Sequence, residues 1–259
     1  MRRCNDAPKR HNLIDPSLFT LLFRRWDRHS ALSKEEREAF SALPFVRKTL
    51  PKDAYLVEEG RPTSECTLLL QGFAYRHKLV HDGARQIISI HIPGEFIDLQ
   101  HLMLATADHN VQTLSKTEIA SVPAAALRDI GARYPALQRA IWLDLLIDAS
   151  IFREWVVNVG RRDARTRIAH LLCELALRLD ASGTDTSPTY EFPLTQDQLA
   201  DATGLTPVHT NRTLQSLRKD GLIALSSSRL TVLDWDALRD AGDFSERYLH
   251  HAVRHPGRS

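Results

Sequence analysis

The stretch Leu194–Ile223 constrains the fold of this chain most, because it contains start and stop signals for two short helices. Thr195 and Gln198 have the spacing of a capping box, in which the hydroxyl accepts from a free amide and the Gln side chain reaches back. Gly204 can adopt the left-handed conformation that ends helices. The sequence therefore predicts a first helix that starts at Thr195 and runs to about Ala202.

The second helix of the stretch is predicted from Thr206 to about Lys219. Thr206 is a good N-cap, Pro207 suits the first helical position, and Gly221 can close the helix. Apolar residues that can meet between the two helices are Leu199, Ala202, Leu205, Leu214, Leu217, Leu222 and Ile223. This pattern predicts a helix-turn-helix, whose second helix can enter the DNA major groove N-terminus first. An ordinary αα-hairpin is the alternative.

Charge is concentrated around this second helix. The formal net charge of the whole chain is only +2, too small to indicate a protein that binds polyanions over its whole surface. Within residues 206–229, three Arg and one Lys oppose a single Asp, which gives +3 over this segment. A local positive field is what attraction to DNA phosphates requires.

The remaining composition is that of a globular protein, with 43% hydrophobic and 25% charged residues. Cys4, Cys66 and Cys173 lie far apart, a spacing that predicts neither a disulfide framework nor a zinc ribbon. The N-terminus lacks the apolar core of a signal peptide, and no apolar run reaches the roughly 18 residues of a membrane span. We therefore expect a cytoplasmic protein without a membrane partner.

The chain divides into five predicted regions. They are a helical leader (1–42), a turn-rich β domain (43–133), a long helix (134–160), a winged helix-turn-helix domain (161–235) and a C-terminal helix and tail (236–259). In the leader, a helix is predicted after Pro16-Ser17, and Ser33 and Glu36 form a second capping box. We expect the first leader helix to pack on the next domain rather than on a partner subunit.

The β domain is predicted from short alternating segments separated by turns. The predicted strands are Tyr55–Glu58, Thr67–Gln71, Ala74–Val80, Gln86–Ile92 and Glu118–Val122, with a hairpin turn at His81–Gly83. Ile88, Ile90 and Ile92 are expected on one face of their strand, opposite Ser89 and His91. Glycines recur at 60, 72, 83 and 94, a regular turn spacing that favours a compact antiparallel barrel or roll.

The long helix carries an apolar seam at alternating steps of 3 and 4 residues, which is typical of a coiled coil. The seam residues are Trp142, Leu145, Ala149, Phe152, Val156 and Val159. Dimerisation along this seam is the favoured interpretation, and packing within the subunit is the alternative. Gly160 is expected to break the helix.

The winged domain is predicted to begin with another helix at 161–163. The buried face of this helix is expected to consist of Ile168, Leu171, Leu172, Leu175 and Leu179. A loop is predicted at Ser182–Thr189. After Ile223, two short strands around Ser226–Ser228 form a predicted wing, and a helix is expected from about Asp236.

This order of elements resembles the Crp–Fnr family of bacterial transcription regulators from about Leu43 to Leu233. The resemblance rests on the spaced glycines, the seam helix, and the sequence LTQDQLADATGLTPVHTNRTL followed by DGLI. It implies an α+β fold with an N-terminal cyclic-nucleotide-binding-like β-roll, a dimerisation helix and a C-terminal winged helix-turn-helix. It also implies a homodimer on a near-palindromic DNA site and a contact with RNA polymerase.

The resemblance places base-reading positions on the second helix of the pair. By family position they fall on Pro207, Val208, Asn211 and Arg212, with His209 and Gln215 as adjacent candidates. Arg212 can make a bidentate contact to guanine, whereas Val208 stands where the family often has Glu and can only touch a thymine methyl. Expected phosphate contacts are Thr195, Gln196, Thr206, Ser227, Ser228 and Arg229.

The effector is not predicted. Cyclic-nucleotide binders of the family hold the phosphate with a Gly-Glu pair and an Arg-Ser pair, but here Glu95 and Asp98 are followed by His109-Asn110, with no Arg between Pro93 and Ala126. We therefore expect that cAMP is not bound, and the cysteine set does not predict an iron–sulfur cluster. A haem or metal ligand among His77, His81, His91, His101 and His109 stays open.

Two other classes of function compete with this interpretation. A turn-rich roll with His91, Glu95 and His101 resembles a cupin metal enzyme, but the His-x-His spacing of such sites is absent from the sequence. The second alternative is a dimeric sensory or adaptor protein that does not read DNA. Because Arg212 and the local positive charge are present, DNA reading is favoured and an enzyme is not predicted.

Overall fold

The computed structural model describes residues 18–182 and 189–250 of the 259-residue chain. The predictions for Cys4, for Pro16-Ser17, for most of the loop before Thr189 and for the C-terminal tail lie outside the described residues. The helices are α1 (Thr20–Trp26), α2 (Lys34–Ser41), α3 (Ala124–Arg133), α4 (Pro135–Arg161), α5 (Ala164–Ser182), α6 (Gln196–Thr203), α7 (Pro207–Lys219) and α8 (Trp235–Ala241). Within these two ranges, no helix combines the length and apolar character needed to cross a bilayer.

The β domain is an antiparallel roll of two sheets, with strand orders β1-β7-β3 and β2-β6-β4-β5. Its strands are β1 (Val46–Leu50), β2 (Tyr55–Val57), β3 (Glu65–Gln71), β4 (Ala74–Leu79), β5 (Arg85–His91), β6 (Asn110–Thr113) and β7 (Thr117–Pro123). All five predicted strands are confirmed, although some end one or two residues away. The sequence did not predict β1 and β6, because β1 is largely exposed and polar and β6 has only four residues.

Four glycines of the roll have positive φ, between +80° and +89°, as their turn spacing predicted. At two of them the chain also passes too close for a side chain. A Cβ on Gly72 would lie 2.6 Å from the Lys116 carbonyl oxygen, and one on Gly94 would lie 2.8 Å from Leu21 Cβ. Gly94 therefore lets the leader helix α1 lie directly on the roll.

The face assignment predicted for β5 is wrong at one position. A β-bulge shifts the register so that Arg76 opposes Ser89 while His77 opposes Ile87, and Ile88 is skipped. Ile87 is fully buried whereas Ile88 is half-buried. Ser89 and His91 are also buried, because their side of the strand faces other elements rather than solvent.

Helix α4 does not end at Gly160 as predicted but continues through it to Arg161. Nothing lies within 4 Å of the position that a Cβ on Gly160 would occupy, and Arg162 then leaves the helix in an extended conformation. One side of α4 packs inside its own subunit. This buried side consists of Leu137, Ala140, Ile141, Asp144, Ile147, Ser150, Ile151, Trp155 and Asn158.

The leader helices pack on the roll, as predicted for the first of them. Phe19, Phe23 and Trp26 of the leader contact Phe40 edge-to-face, and Trp26 stacks on Phe96 of the roll at 6.3 Å between ring centroids. This aromatic cluster continues into α3 and the first half of α4. The leader thus belongs to the same core as the face of the roll that it covers.

The C-terminal domain, predicted as a winged helix-turn-helix, contains α5 to α8 and a three-stranded sheet of order β8-β10-β9. The wing strands β9 (Ile223–Ser226) and β10 (Arg229–Val232) are confirmed. The third strand, β8 (Thr189–Glu191), begins at the residue where the predicted loop ends, and it pairs with β10. The predicted buried face of α5 is confirmed, and the core formed by α5 extends without interruption to Tyr75, Ile87 and Ile90 of the roll.

Candidate nucleic-acid interface

The helix pair α6–α7 is held by the local signals that the sequence predicted. Thr195 Oγ1 accepts from the Gln198 amide at 3.1 Å, and Gln198 Oε1 accepts from the Thr195 amide at 2.9 Å. Gly204 ends α6 in the left-handed conformation, with φ of +63°. Thr206 caps α7 by accepting from the His209 amide at 3.3 Å. One orphan amide at the start of each helix thereby gains a side-chain partner three residues away in the sequence.

Helix α7 has one buried and one exposed face. Thr210, Thr213, Leu214 and Leu217 are buried against α5 and α6. All six predicted base-reading side chains are exposed, namely Pro207, Val208, His209, Asn211, Arg212 and Gln215. Val208 is 70% exposed, so it has no packing role in this subunit that would explain its apolar side chain. The helix therefore presents a continuous outer face to an external partner.

Two arginines of α5 hold the helix pair α6–α7 in place. Neither was predicted from the sequence to have this role. Arg167 donates from Nη1 to the Thr203 carbonyl oxygen at 3.1 Å, at the turn between α6 and α7. Arg165 contacts Ser216 Oγ and Asp220 Oδ2, both at 2.8 Å, near the C-terminal end of α7. These contacts span 36 residues or more, so no short sequence motif could have revealed them.

The wing lies beside the start of α6 and the exposed face of α7. Ser227 and Ser228 form its tip with positive φ values of +48° and +60°. A surface groove runs between the wing and the two helices, and its polar lining includes Thr195, Gln196, Asn211, Gln215, Arg218, Ser227, Ser228 and Arg229. The structure thus brings predicted base-reading and phosphate-contact residues to one groove, and it adds Arg218. The predicted site residues that are exposed but do not line this groove are Thr206, Pro207, Val208, His209 and Arg212.

Helix α4 has an apolar face that this subunit does not cover. Of the six predicted seam residues, Trp142, Ala149, Phe152 and Val156 are exposed, and Leu145 and Val159 are half-buried. Trp142 and Val156 are each 56% exposed, and the neighbouring Leu146 is 62% exposed. Large apolar side chains exposed in a row on a long helix indicate a surface that packs against another molecule.

The interior of the roll next to α4 is filled by ion pairs that are buried or partly buried. Glu95 is 3% exposed and pairs with Arg25 of α1 and Arg178 of α5, both at 2.8 Å. Arg76 of β4 pairs with Asp148 of α4 at 3.0 Å. The cavity left among these groups measures about 20 Å³, space for about one water molecule.

Arginines do therefore reach the carboxylates of this region, although the segment between Pro93 and Ala126 contains none. These arginines belong to α1, β4 and α5, which are distant in sequence from the segment between Pro93 and Ala126. The guanidinium groups of Arg178 and Arg25 lower the pKa of Glu95 far below its ordinary range, despite burial, which by itself raises it. Glu95 is consequently a charged group that is already neutralised within the chain.

The other residues of the predicted effector neighbourhood also have internal partners. Asp98 accepts from the Thr67 amide at 2.6 Å, and Asn110 Oδ1 accepts from the Glu59 amide at 3.0 Å. His109 Nδ1 lies 2.6 Å from a carboxylate oxygen of Asp108. Burial lowers the pKa of His77 to about 4, which keeps this imidazole neutral at pH 7. Across residues 18–182 and 189–250, no three His, Cys, Asp or Glu side chains converge to hold a metal ion.

The chain is similar to known proteins in its domains, in its overall sequence and in its fold. Residues 47–134 match the model of the cyclic nucleotide-binding domain, and residues 166–241 match the model of the Crp-like helix-turn-helix domain. Among similar proteins, a probable transcriptional activator of Rhizobium leguminosarum bv. viciae is 25% identical over 91% of both chains. The transcriptional activator protein FnrL of Cereibacter sphaeroides is 24% identical over 95% of this chain and 94% of its own length.

Solved structures show the same fold. The structure of FixK2 from Bradyrhizobium japonicum superposes with a TM-score of 0.72 at 20% identity, covering 78% of this chain and all of the other. A CRP-family regulator from Thermus thermophilus superposes with a TM-score of 0.63 at 19% identity, covering 76% and 97%. The relatives and the fold are those of transcription regulators and not of enzymes, which rules against the cupin interpretation.

Proposed function

This chain belongs to the Crp–Fnr family of transcription regulators, and we propose that it binds near-palindromic promoter DNA as a homodimer. The observation that carries the proposal is the outer face of α7, where six predicted reading side chains are exposed together on a helix fixed by caps and by Arg165 and Arg167. A rigid helix with an exposed polar row fits the major groove of B-DNA.

Direct reading is assigned chiefly to Arg212 and Asn211. An arginine can bind guanine O6 and N7 with two donors, and an asparagine can pair with adenine or a phosphate. Val208 has no donor or acceptor, so at its position the site prefers a thymine methyl. His209, Gln215 and Pro207 complete the face. Because Val208 differs from the Glu common in the family, the operator differs from the familiar family site.

Phosphate contacts are assigned to the two rims of the groove and to the start of α7. Thr195 and Gln196 lie at the N-terminus of α6, where the helix dipole favours an anion. Thr206 lies at the N-terminus of α7, and Ser227, Ser228 and Arg229 lie on the wing. Backbone contacts of this kind fix the register of the protein on DNA without reading sequence.

The homodimer is supported by the uncovered face of α4. The seam residues Trp142, Leu145, Ala149, Phe152, Val156 and Val159 would pack against the same residues of a second subunit, as an isologous two-fold interface requires. Two copies of α7 would then meet two half-sites about 34–36 Å apart. This arrangement acts on DNA in the cytoplasm, and a contact with RNA polymerase follows from the family.

Control of transcription is proposed to work by population shift. Only one orientation of the two DNA-binding domains relative to the dimer axis matches the half-site spacing, so any factor that favours this orientation raises DNA affinity. The ion pairs that fill the roll next to α4 support the expectation that cAMP is not a controlling ligand. Whether the protein activates or represses depends on where the operator lies relative to the promoter.

The experiment that tests the proposal combines in-vivo occupancy mapping with selection of binding sequences by the purified protein. We expect an inverted repeat at promoters. Arg212→Ala should reduce affinity for that repeat by about 1–3 kcal/mol and relax preference at one base pair per half-site. Arg61→Ala, at a 75%-exposed side chain of the roll, is the matched control and should change nothing. Unchanged specific affinity in Arg212→Ala would refute this mode of reading.

A further inference from the structure

Glu95 is the point where three separate parts of the chain meet inside the protein. Its carboxylate accepts from Arg25 Nη1 of the leader at 2.8 Å and from Arg178 Nη2 of α5 at 2.8 and 3.0 Å. It also accepts from the Ile92 amide within the roll at 3.2 Å. Arg25 in turn contacts Asp144 of α4 at 2.6 Å. Glu95 thereby links the roll to the leader and to the first helix of the DNA-binding domain.

Arg178 makes this link with a geometry that only a guanidinium can provide. Nη2 donates to Glu95 and to the Ile90 carbonyl oxygen at 2.7 Å, while Nη1 donates to Glu174 at 2.9 Å. The side chains of Arg178 and Glu95 are each only 4% exposed. The fork thus joins one carboxylate of the roll to one carboxylate of its own helix, shielded from bulk solvent.

The position of Arg178 along α5 gives the contact its leverage. Helix α5 follows α4 after only two residues, Arg162 and Asp163. Arg178 lies 14 residues beyond Ala164, the first residue of α5, which is about 21 Å along the helix axis. A helix attached at one end by a short connection and at the other by a buried ion pair has its direction fixed. Arg165 and Arg167 of the same helix hold α7, so the direction of α5 sets the position of the reading face.

A second contact docks the same domain on the same sheet. Arg85 of β5 pairs with Asp201 of α6 at 2.7 Å, and Gln86 Nε2 donates to the Asp201 carbonyl oxygen at 2.7 Å. Both side chains of the ion pair are more than a quarter exposed, so solvent screens this pair. Removing one partner of the buried contact at Glu95 leaves a buried charge without its counter-ion, so its loss should affect docking more than loss of the exposed pair.

We propose that Arg178, through its ion pair with Glu95, is a positioning residue for DNA recognition that fixes the direction of α5 and hence the spacing of the two reading helices. The inference rests on the proposed function. Without the pair, the apolar contact between the DNA-binding domain and the roll remains, but no buried ion pair fixes the direction of α5. The domain then samples a wider range of orientations about the connection at Arg162-Asp163. Apparent affinity then falls in proportion to the fraction of molecules in the matching orientation.

The test compares Arg178→Met with the wild-type protein on the selected operator and on an operator whose half-sites are one base pair further apart. We expect the affinity of Arg178→Met for the native spacing to fall by about tenfold or more, while its affinity for non-specific DNA stays unchanged. Its preference for the native over the longer spacing should shrink. A purely stabilising role would leave the spacing preference of the folded protein intact.

Further variants separate this role from simple unfolding. Arg178→Lys keeps the charge but lacks the planar fork whose two nitrogens reach Glu174 and Glu95 separately, so it should fold and show an intermediate loss of spacing preference. Glu95→Gln combined with Arg178→Met should lose no more affinity than Arg178→Met alone, because the two residues act as a pair. Arg76→Met is the matched control. It removes a partly buried ion pair between β4 and α4, made with Asp148 and not with a residue of α5, so the spacing preference should survive.

A readout without DNA keeps the inference distinguishable from the proposed function. Amide hydrogen exchange in residues 85–92 and 196–203 should accelerate in Arg178→Met and in Arg178→Lys, but not in Arg76→Met. Should the wild-type protein bind no specific DNA, the proposed function fails, and exchange at these segments still tests the docking. Wild-type spacing preference together with unchanged exchange in Arg178→Lys would overturn the inference.

Discussion

The exposed side of α7, which is the proposed DNA-binding face, and the interior of the roll both contain arginines and polar side chains. These side chains have opposite surroundings in the two regions. On α7, Asn211, Arg212 and Gln215 are exposed and point away from the subunit core. In the roll, Glu95 and its neighbour Asp98 are 3% and 2% exposed and already accept hydrogen bonds from the chain. The polar side chains of α7 are therefore accessible to an external partner, whereas the carboxylates inside the roll already bind partners within the chain.

The difference also has an energetic side. Substitutions at exposed polar positions usually change the free energy of unfolding little, so the fold places few constraints on the exposed side chains of α7. Buried charges are expensive unless every one of them is paired, so the cluster around Glu95 and Glu174 tolerates few changes. We therefore expect substitutions in the interior to act mainly on folding, and substitutions on α7 to act mainly on DNA affinity.

The largest effect is expected at Glu174, the most completely enclosed acid of the cluster. It accepts from Trp155 Nε1 at 3.0 Å, from Arg178 Nη1 at 2.9 Å and from Tyr248 Oη at 2.9 Å. Glu174→Ala leaves these donors buried without their acceptor, which should lower the free energy of unfolding by about 3–5 kcal/mol in a urea titration. Glu174→Gln keeps one acceptor oxygen and should lose less. Glu191→Ala, at an exposed position of β8, is the control. A loss below about 1 kcal/mol in Glu174→Ala would contradict the contrast between the two regions.

The next effect concerns pH and His170, a buried histidine of the DNA-binding domain whose ring nitrogens lie 3.1 Å from the Gly242 carbonyl oxygen and from Tyr248 Oη. Burial, reinforced by nearby Arg162, lowers the pKa of His170 from 6.5 to about 4. Between pH 6.5 and pH 4, His170 is protonated in the unfolded chain but neutral in the folded protein. The free energy of unfolding therefore falls as the pH drops from 6.5 towards 4. The loss attributable to His170 should reach roughly 3 kcal/mol.

The measurement is thermal or urea unfolding of the wild-type protein and His170→Gln at pH 7, 6, 5 and 4. The variant has no proton to bind at this position, so the difference in stability between the two proteins should narrow steadily as pH falls. A difference independent of pH would show that His170 does not stay neutral in the fold.

The sequence predicted most where the determining interactions are local. Both capping boxes, Gly204, Thr206 and the wing are recognisable because each signal and its partner lie at most nine residues apart in the sequence, and all are confirmed. The glycine spacing predicted the roll for the same reason. Helix α4 continued past Gly160 because an exposed helical glycine costs only about 1 kcal/mol, which flanking helical residues can absorb.

The interior of the roll could not be predicted in this way. Arg25 and Arg178 lie 70 and 83 residues from Glu95, and Arg167 lies 36 residues from the turn that it stabilises. No periodicity or motif connects such positions, and only the folded chain brings them together. The segment around Glu95 contains no arginine, as the sequence shows. In the folded protein, however, two arginines from distant parts of the chain pair with Glu95.

A smaller effect is expected from Arg212→Lys on the DNA-binding face. Lysine keeps the positive charge but cannot bind guanine O6 and N7 with two donors in a fixed plane. Affinity for the operator should fall by about 1–3 kcal/mol while the slope of log affinity against log salt stays the same, because the number of neutralised phosphates does not change. Arg229→Gln on the wing is the converse case, and should weaken all DNA sequences similarly and reduce that slope by about 1. The comparison requires that neither variant changes the free energy of unfolding by more than about 0.5 kcal/mol.

The smallest expected effect arises at Thr195, which belongs to both sides of the comparison. Its hydroxyl caps α6 by accepting from the Gln198 amide, and it also lines the groove assigned to DNA. Thr195→Ala should lower the free energy of unfolding by about 1 kcal/mol and also weaken binding to every DNA sequence. The chain provides a matched control in Ser33, which forms the same capping box with Glu36 at the start of α2 in the leader.

Ser33→Ala should produce a similar loss of stability, measured by urea unfolding, without any change in DNA affinity. The difference between the two variants therefore isolates the phosphate contact of Thr195 from its capping role. If both variants weakened DNA binding equally, the effect would come from overall stability, and Thr195 would belong with the internally satisfied residues instead of the DNA-binding face.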